Sequence, residues 1–220
     1  MTGSFSMTTD QVASQKDISV RRFFLPALLA AFASTAAAQS LPLIVEGNWQ
    51  PPDSANQFRA ELTEEGDFAR LRIYDQGATE PVLDVAEFVQ VMAIAPDSVT
   101  WLESVPGGLR IISDSPTNAH PFREEIILQR AGGKIIIARS FTNWVEEPFT
   151  DEYGVDYVPA QPGALRTCTV DFLDGTVDWS GEMQPLPDLS ADDTLAKNWG
   201  YGRVYSLGLC KPYADAQPAP

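Results

Sequence analysis

The segment EEIILQRAGGKIIIARSF, residues 124–141, decides the fold class. It holds two aliphatic runs, at 126–128 and 135–137, separated by Gly132 and Gly133. Two such runs joined by a short glycine turn predict an antiparallel β-hairpin. Neither run alternates with polar residues, so we expect both faces of these strands to be covered and the hairpin to form the centre of the core.

Further β-rich runs flank turn residues along the rest of the chain. This rhythm of short strands and glycine- or aspartate-containing turns is typical of antiparallel β structure. We therefore predict a mainly β protein, an antiparallel sandwich or a small barrel of hairpins, with one short C-terminal helix. The other expected hairpins join residues 58–63 with 68–74, 98–105 with 109–113, and 168–173 with 176–180. Residues 82–95 could form a strand or a helix, and their β-branched content favours a strand.

One segment near the C terminus has the pattern of a helix. Residues 191–198 follow Ser190, a favourable N-cap residue, and carry Asp192 and Asp193 in the first turn. Gly200 then supplies a stop signal just beyond the end. The predicted helix therefore spans 191–198.

The dipeptide Asp174-Gly175 predicts the register of the 168–180 hairpin. Asp-Gly supplies the positive φ angles that a two-residue type I′ turn requires. The expected partners are Leu173 with Thr176, Phe172 with Val177, Asp171 with Asp178, Val170 with Trp179 and Thr169 with Ser180. This register separates an apolar face from a polar one, as a half-buried hairpin requires.

The same register places Asp171 and Asp178 side by side on the polar face. Two opposed carboxylates destabilise a strand pair unless something offsets their repulsion. With a third carboxylate from the segment between Val145 and Arg166, they could hold Ca²⁺, which prefers oxygen ligands. The alternatives are that both side chains point into water, or that Arg166 or Lys134 lies beside them.

The N-terminal region has the pattern of an export signal. Basic residues precede an apolar run at 23–38 that ends in Ala36-Ala37-Ala38, which signal peptidase accepts. The run of 16 residues is shorter than the roughly 20 residues of a membrane-spanning helix. Arg21 and Arg22, followed by Phe and Leu, also resemble a twin-arginine export signal. The expected organisation is a signal peptide at 1–38, one β-rich domain at 39–213 and a disordered tail at 214–220.

Charge and cysteine content suit a periplasmic or secreted domain. The chain has a net charge of −15, and without residues 1–38 it has 12 basic and 28 acidic side chains. Such a surface repels nucleic acid and anionic lipid, so cations and basic proteins are the partners it could favour, and the alternative is that the acidic residues only keep the domain soluble. We expect a monomer that does not insert into the membrane. Cys168 and Cys210 are the only cysteines, and an even count in an oxidising compartment predicts a disulfide.

The segment between Val145 and Arg166 is the candidate binding loop. It is long for a connection and combines prolines, acids and aromatic residues. Long loops in compact domains are functional or disordered, and the aromatic residues favour order. It is either a surface flap that packs its own aromatics or a surface for a ligand or partner. The candidate binding residues are Asp151, Glu152, Tyr153, Asp156 and Tyr157.

No catalytic or cofactor-binding motif is present in the sequence. His120, the only histidine, lies in a loop between prolines, and nothing selects a serine or carboxylate partner for it. We therefore expect no cofactor other than the candidate Ca²⁺, and a binding module whose partner is a protein or a small ligand. The alternative is a secreted hydrolase with paired carboxylates, which would show two buried acids of raised pKa in one cleft.

Two resemblances bear on the fold. The tripeptide Gly47-Asn48-Trp49 resembles the Gly-x-Trp that opens lipocalin-like barrels, which implies the barrel alternative. Residues 122–178, with the 124–141 hairpin followed by CTVDFLDG at 168–175, resemble uncharacterised β-rich proteins secreted by Gram-negative bacteria. The second resemblance implies a periplasmic address and β structure, and it implies no catalytic residue.

Overall fold

A computed structural model of the chain describes residues 43–91, 98–116, 121–150, 153–211 and 216–218. The predicted signal peptide at 1–38 and the lone His120 lie outside these residues. The strands are β1 (Leu43–Trp49), β2 (Phe58–Glu65), β3 (Phe68–Asp75), β4 (Leu83–Gln90), β5 (Val99–Val105), β6 (Gly108–Ser115), β7 (Phe122–Ala131), β8 (Lys134–Val145), β9 (Phe149–Thr150), β10 (Asp156–Val158), β11 (Leu165–Asp171), β12 (Thr176–Trp179), β13 (Glu182–Pro185) and β14 (Gln217–Pro218).

These strands form antiparallel sheets, as predicted. One sheet has the order β1-β2-β3-β4, a second has the order β13-β12-β11-β8-β7-β6-β5, and a small third sheet has the order β14-β10-β9. The predicted hairpins β2–β3, β5–β6 and β7–β8 are confirmed, and the ambiguous 82–95 segment forms strand β4. Because β4 and β5 lie in different sheets, the chain forms a sandwich rather than the alternative small barrel.

The two larger sheets bury a shared core between them. Trp49, Leu62, Leu71 and Phe88 of the four-stranded sheet are almost completely buried. Close approach also occurs where β1 meets β5, because a Cβ atom on Gly47 would lie 3.2 Å from the Cβ of Leu102. The seven-stranded sheet contributes a matching set of buried side chains, namely Leu109, Ile111, Ile126, Leu128, Ile137, Cys168, Val170 and Val177.

The β7–β8 hairpin lies at the centre of this core, as its aliphatic triplets predict. Ile126, Leu128 and Ile137 are fully buried, whereas their neighbours in the triplets are half-buried. The pairing shifts by one residue after Ile127, so that Ala138 is an extra residue on β8. This β-bulge explains why two successive residues of β8 are both buried, since a regular strand alternates its faces.

The predicted helix at 191–198 is wrong in its extent. Only Ala196–Asn198 is helical, as a single 3-10 turn, and the chain is extended at Leu195. Leu195 forms an isolated β-bridge with Ile136, and the backbone N–H of Ile137 donates to the carbonyl of Thr194 at 2.8 Å. This tertiary pairing holds the segment out of the helical conformation. The α-helix in the described residues is α1 (Arg203–Ser206), which follows Gly202.

The predicted register of the β11–β12 hairpin is also wrong. Asp171 pairs with Thr176 and Thr169 pairs with Asp178, so residues 172–175 form a four-residue turn. The Asp171 carboxylate accepts hydrogen bonds from the backbone N–H groups of Leu173 and Asp174 at 3.0 and 2.9 Å. These two bonds favour the longer turn over the two-residue one. The observed register differs from the predicted one by two residues. An even shift keeps each side chain on the same face of the hairpin, so Val170 and Val177 remain buried.

The C-terminal segment is tied to the large sheet by the predicted disulfide. Cys168 on β11 bonds to Cys210, with Cα atoms 5.9 Å apart. Val204 and Leu209 on the same segment enter the core. Within the described residues, no helix is both long enough and apolar enough to cross a lipid bilayer.

Candidate functional site

The candidate binding loop is ordered around a small sheet. Strands β9 and β10 pair through it, and the Phe149 and Tyr157 rings stack with centroids 5.2 Å apart. Within the expected tail at 214–220, Gln217 and Pro218 form strand β14 and pair with β10. These two residues supply the third strand of this sheet.

A buried ion pair anchors the base of this loop. The Glu146 side chain is 2% exposed and lies 3.1 Å from Nε of Arg166, at the other end of the loop. The backbone N–H of Glu146 also donates to the carbonyl of Ala164 at 2.9 Å, and the N–H of Gly163 donates to the carbonyl of Glu146 at 2.6 Å. A buried charge pair of this kind is costly to break, because removing one partner leaves the other charge buried alone.

Several apolar side chains of the loop are exposed to solvent. We call Phe149, Tyr153, Val155, Val158 and Leu165 the 149–165 face. Five of the ten large hydrophobic side chains that are exposed in the described residues belong to it. Tyr153 is the most exposed of them, at 83%. Such a concentration of exposed apolar side chains in one segment is a mark of an interaction surface.

The predicted binding residues take different places in this loop. Tyr153 is exposed, whereas Tyr157 is half-buried under the stacked ring of Phe149. The Asp156 carboxylate accepts a hydrogen bond from the Thr150 hydroxyl at 2.6 Å, across the β9–β10 pair. Asp151 and Glu152 lie outside the described residues. Of the predicted residues that the structure describes, Tyr153 and Asp156 are therefore exposed, and Tyr157 is half-buried.

The candidate calcium pair is not formed. Asp171 and Asp178 are not opposed, because the register differs from the predicted one. Each carboxylate closes a local turn instead, and that of Asp178 accepts a hydrogen bond from the backbone N–H of Gly181 at 2.8 Å. Across the described residues, no cluster of three or more His, Cys, Asp or Glu side chains is suited to hold a metal ion.

Two of the clefts in the described part of the chain are large enough for a small molecule. The first, about 350 Å³ in volume, lies between the ends of β3 and β4, the β7–β8 turn and the 3-10 turn. Its lining combines apolar and charged residues: Phe58, Asp75, Val82, Leu83, Arg130, Gly133, Lys134, Ile135, Asp192, Leu195 and Lys197. The second, about 460 Å³, lies between β12, β13 and residues 207–211 and is lined by Trp179, prolines and leucines. Both volumes fall within the range of small-molecule sites.

A buried polar row crosses the core face of the large sheet. Thr100, Ser113, Glu124 and Thr142 are successive cross-strand partners on β5 to β8. Ser113, Glu124 and Thr142 are buried, and the Thr142 hydroxyl lies 3.2 Å from the Tyr205 hydroxyl. Such a row is unusual in a core and requires hydrogen-bond partners.

Glu124 joins the two large sheets through this row. Its carboxyl group accepts a hydrogen bond from the backbone N–H of Gln90, at the end of β4, at 3.3 Å. The carbonyl of the same Gln90 accepts from the Ser113 hydroxyl. Both polar backbone groups of Gln90 are thus satisfied by side chains of the opposite sheet.

Burial controls the protonation of Glu124. Loss of water raises the pKa of its carboxyl group to about 8, and the hydrogen bond from Gln90 opposes this shift only in part. Burial, and then the charge of Glu124, raise the pKa of the Tyr201 hydroxyl. At neutral pH Glu124 is therefore mainly protonated.

Sequence reasoning missed Glu124, although a signal for it exists. Its position two residues before Ile126 and four before Leu128 places it on the same face of a β-strand as these core residues. An acid in phase with core residues indicates an inward side chain. Glu124 lines neither of the two clefts, so the paired buried acids expected of a hydrolase do not meet there.

Comparison with known proteins identifies no relative. No protein-family model matches the chain, and no curated protein or solved structure resembles it significantly.

Proposed function

We propose that this protein is a non-catalytic binding module of the periplasm or the cell exterior, and that it docks a cationic, apolar segment of a partner protein on the 149–165 face. The observation that carries the proposal is the concentration of exposed apolar side chains in this loop. A loop that is already ordered loses little conformational entropy on binding, and here the stacked rings of Phe149 and Tyr157 and the Glu146–Arg166 pair order parts of the loop.

Charge supports the choice of a cationic partner. The chain has a net charge of −15, and acids at 147, 151, 152 and 156 accompany the apolar residues of the loop. A negative field accelerates the approach of a positively charged segment and opposes nucleic acid. The disulfide and the predicted leader favour an oxidising compartment outside the cytoplasm.

The proposal is tested by capture with matched variants. Wild type, Tyr153→Ala/Leu165→Ala and Leu173→Ala/Met183→Ala are immobilised and exposed to the extracytoplasmic fraction of the source cells, and bound proteins are quantified by mass spectrometry. Leu173 and Met183 are 57% and 66% exposed but lie outside the face, so they control for a general loss of apolar surface.

A partner of this face should be retained by wild type and by the control, and its affinity for the Tyr153→Ala/Leu165→Ala variant should fall at least about tenfold, since exposed aromatic anchors dominate binding energy. Calorimetry on the isolated partner measures this change, and the affinity should weaken with salt. Equal binding by all three proteins, or a partner that carries net negative charge, would contradict the proposal.

A further inference from the structure

The first cleft combines an apolar floor with unpaired cations. Phe58, Leu83 and Leu195 are each about 95% buried and form its floor. Lys134 and Lys197 are exposed at its rim. They approach the cleft from different parts of the fold, since Lys134 ends the β7–β8 turn and Lys197 lies in the 3-10 turn.

These lysines differ from most cations of the protein. Eight of the nine arginines in the described residues form ion pairs with carboxylates. Arg130, which also lines the cleft, is one of the eight and pairs with Asp53 at 3.2 Å. Neither Lys134 nor Lys197 has an ion pair among the described residues, although the chain has twice as many acids as bases.

The carboxylates of the cleft do not neutralise the two lysines. Both oxygens of Asp75 accept hydrogen bonds, one from the side chain of Asn56 at 3.2 Å and one from the backbone N–H of Gln76 at 2.8 Å. Asp192 lines the cleft, and among the described residues it forms no ion pair with Lys134 or Lys197. The two positive charges are therefore available to a ligand.

We propose that this cleft binds a small carboxylic acid with an apolar body, whose anionic group is held by Lys134 and Lys197 and whose body lies on Phe58, Leu83 and Leu195. The volume of about 350 Å³ is at the small end of the range for ligand sites and suits one such molecule. Two ammonium groups above an apolar floor complement a molecule of this kind, because the charge is paired while the body is removed from water. This site shares no residue with the 149–165 face and is independent of it.

The test uses two fluorescent probes with similar rings and different charge. 1-Anilinonaphthalene-8-sulfonate carries an anionic group, and N-phenyl-1-naphthylamine carries none. The purified wild-type protein should bind the sulfonate with increased fluorescence, and octanoate should displace it. In the variant Lys134→Gln/Lys197→Gln, affinity for the sulfonate and for octanoate should fall about tenfold or more, because two charge-assisted contacts are lost. The uncharged probe should bind this variant as it binds wild type.

Two further variants serve as controls. Arg139→Gln removes an exposed cation of β8 that lines neither cleft, and it should bind the sulfonate like wild type. Asp192→Asn removes a rim carboxylate and should tighten binding of the sulfonate. Four outcomes would each overturn the proposal. The wild-type protein could fail to bind the sulfonate, or octanoate could fail to displace the sulfonate. The sulfonate could bind wild type and Lys134→Gln/Lys197→Gln with equal affinity, or the variant could lose affinity for the uncharged probe as much as for the sulfonate.

Discussion

At the scale of single residues, Glu124 is the most unusual feature of the protein. A carboxyl group in the core is tolerated here because it stays protonated and because a backbone N–H of the opposite sheet faces it. An ionised carboxylate at the same place would lose its water without gaining a cation. The residue therefore couples the stability of the sandwich to pH.

The sign of this coupling follows from proton binding. The pKa of Glu124 lies near 4.5 in the unfolded chain and is raised to about 8 in the native one, so between these values the native state holds one more proton. The contribution of this group to stability is complete below about pH 4.5 and is lost as pH rises toward 8. Each pH unit in this window lowers the free energy of unfolding by about 1.4 kcal/mol.

The substitution Glu124→Gln removes this dependence while keeping an acceptor for Gln90. We expect the difference in free energy of unfolding between the variant and wild type, measured by urea denaturation, to increase in favour of the variant as pH increases from 5 to 8. The pKa of Tyr201, followed by ultraviolet absorbance, should fall in the variant, because the charge of Glu124 contributes to its raised value. The exposed Glu80→Gln is the charge-matched control. Parallel pH profiles of wild type and Glu124→Gln would refute this role.

At the scale of elements, the β11–β12 turn shows how one side chain selects a hairpin. Asp-Gly at 174–175 favours a two-residue turn, and Gly175 does adopt a positive φ of 68°. The Asp171 carboxylate nevertheless closes a four-residue turn by accepting two backbone hydrogen bonds. Side-chain acceptors of this kind compete with backbone ladders, which explains the shift in register.

Removal of this acceptor should weaken the hairpin. Asp171→Ala should lower the free energy of unfolding by about 1 to 2 kcal/mol, because two backbone N–H groups lose their partner. Asp171→Asn keeps a side-chain oxygen and should retain most of the stability. Asp174→Ala, in the same turn, is the positional control because the Asp174 side chain does not close it. Equal urea midpoints for Asp171→Ala and Asp174→Ala would show that the carboxylate does not set the turn.

At the scale of the whole molecule, the disulfide joins the C-terminal segment to the middle of the large sheet. The bond spans 42 positions of sequence and encloses the 3-10 turn and helix α1. Trp199, Val204 and Leu209 of this segment are buried in the shared core. The covalent link therefore acts on a segment that has little regular structure of its own.

Loss of the disulfide should destabilise the protein without changing the fold. In the chain-entropy description, a loop of this length contributes on the order of 4 kcal/mol, so Cys168→Ala/Cys210→Ala should lower the free energy of unfolding by about that amount. Reduction of the wild-type protein should lower it comparably, and thiol titration of the unfolded, unreduced protein should find no free thiol. A variant as stable as oxidised wild type, or two titratable thiols, would exclude this role for the bond.

The sequence by itself determined the features that depend on neighbours along the chain. Turn residues between β-rich runs, such as Gly132-Gly133 between two aliphatic runs, predicted three hairpins that the structure confirms. These predictions succeed because local turn chemistry and side-chain pattern set the pairing of adjacent strands. The disulfide followed from the count of two cysteines in a chain with a predicted export signal.

Only the tertiary structure decided the features that depend on residues distant in sequence. Leu195 is extended because Ile136, 59 positions earlier, pairs with it, so a segment with good helix caps forms only one 3-10 turn. The division into two sheets, the pKa of Glu124 and the meeting of Lys134 with Lys197 in one cleft have the same origin. Each of these features depends on which surfaces of the protein pack together. The packing that forms is the one that buries the most apolar area over the whole chain, and no single segment determines it.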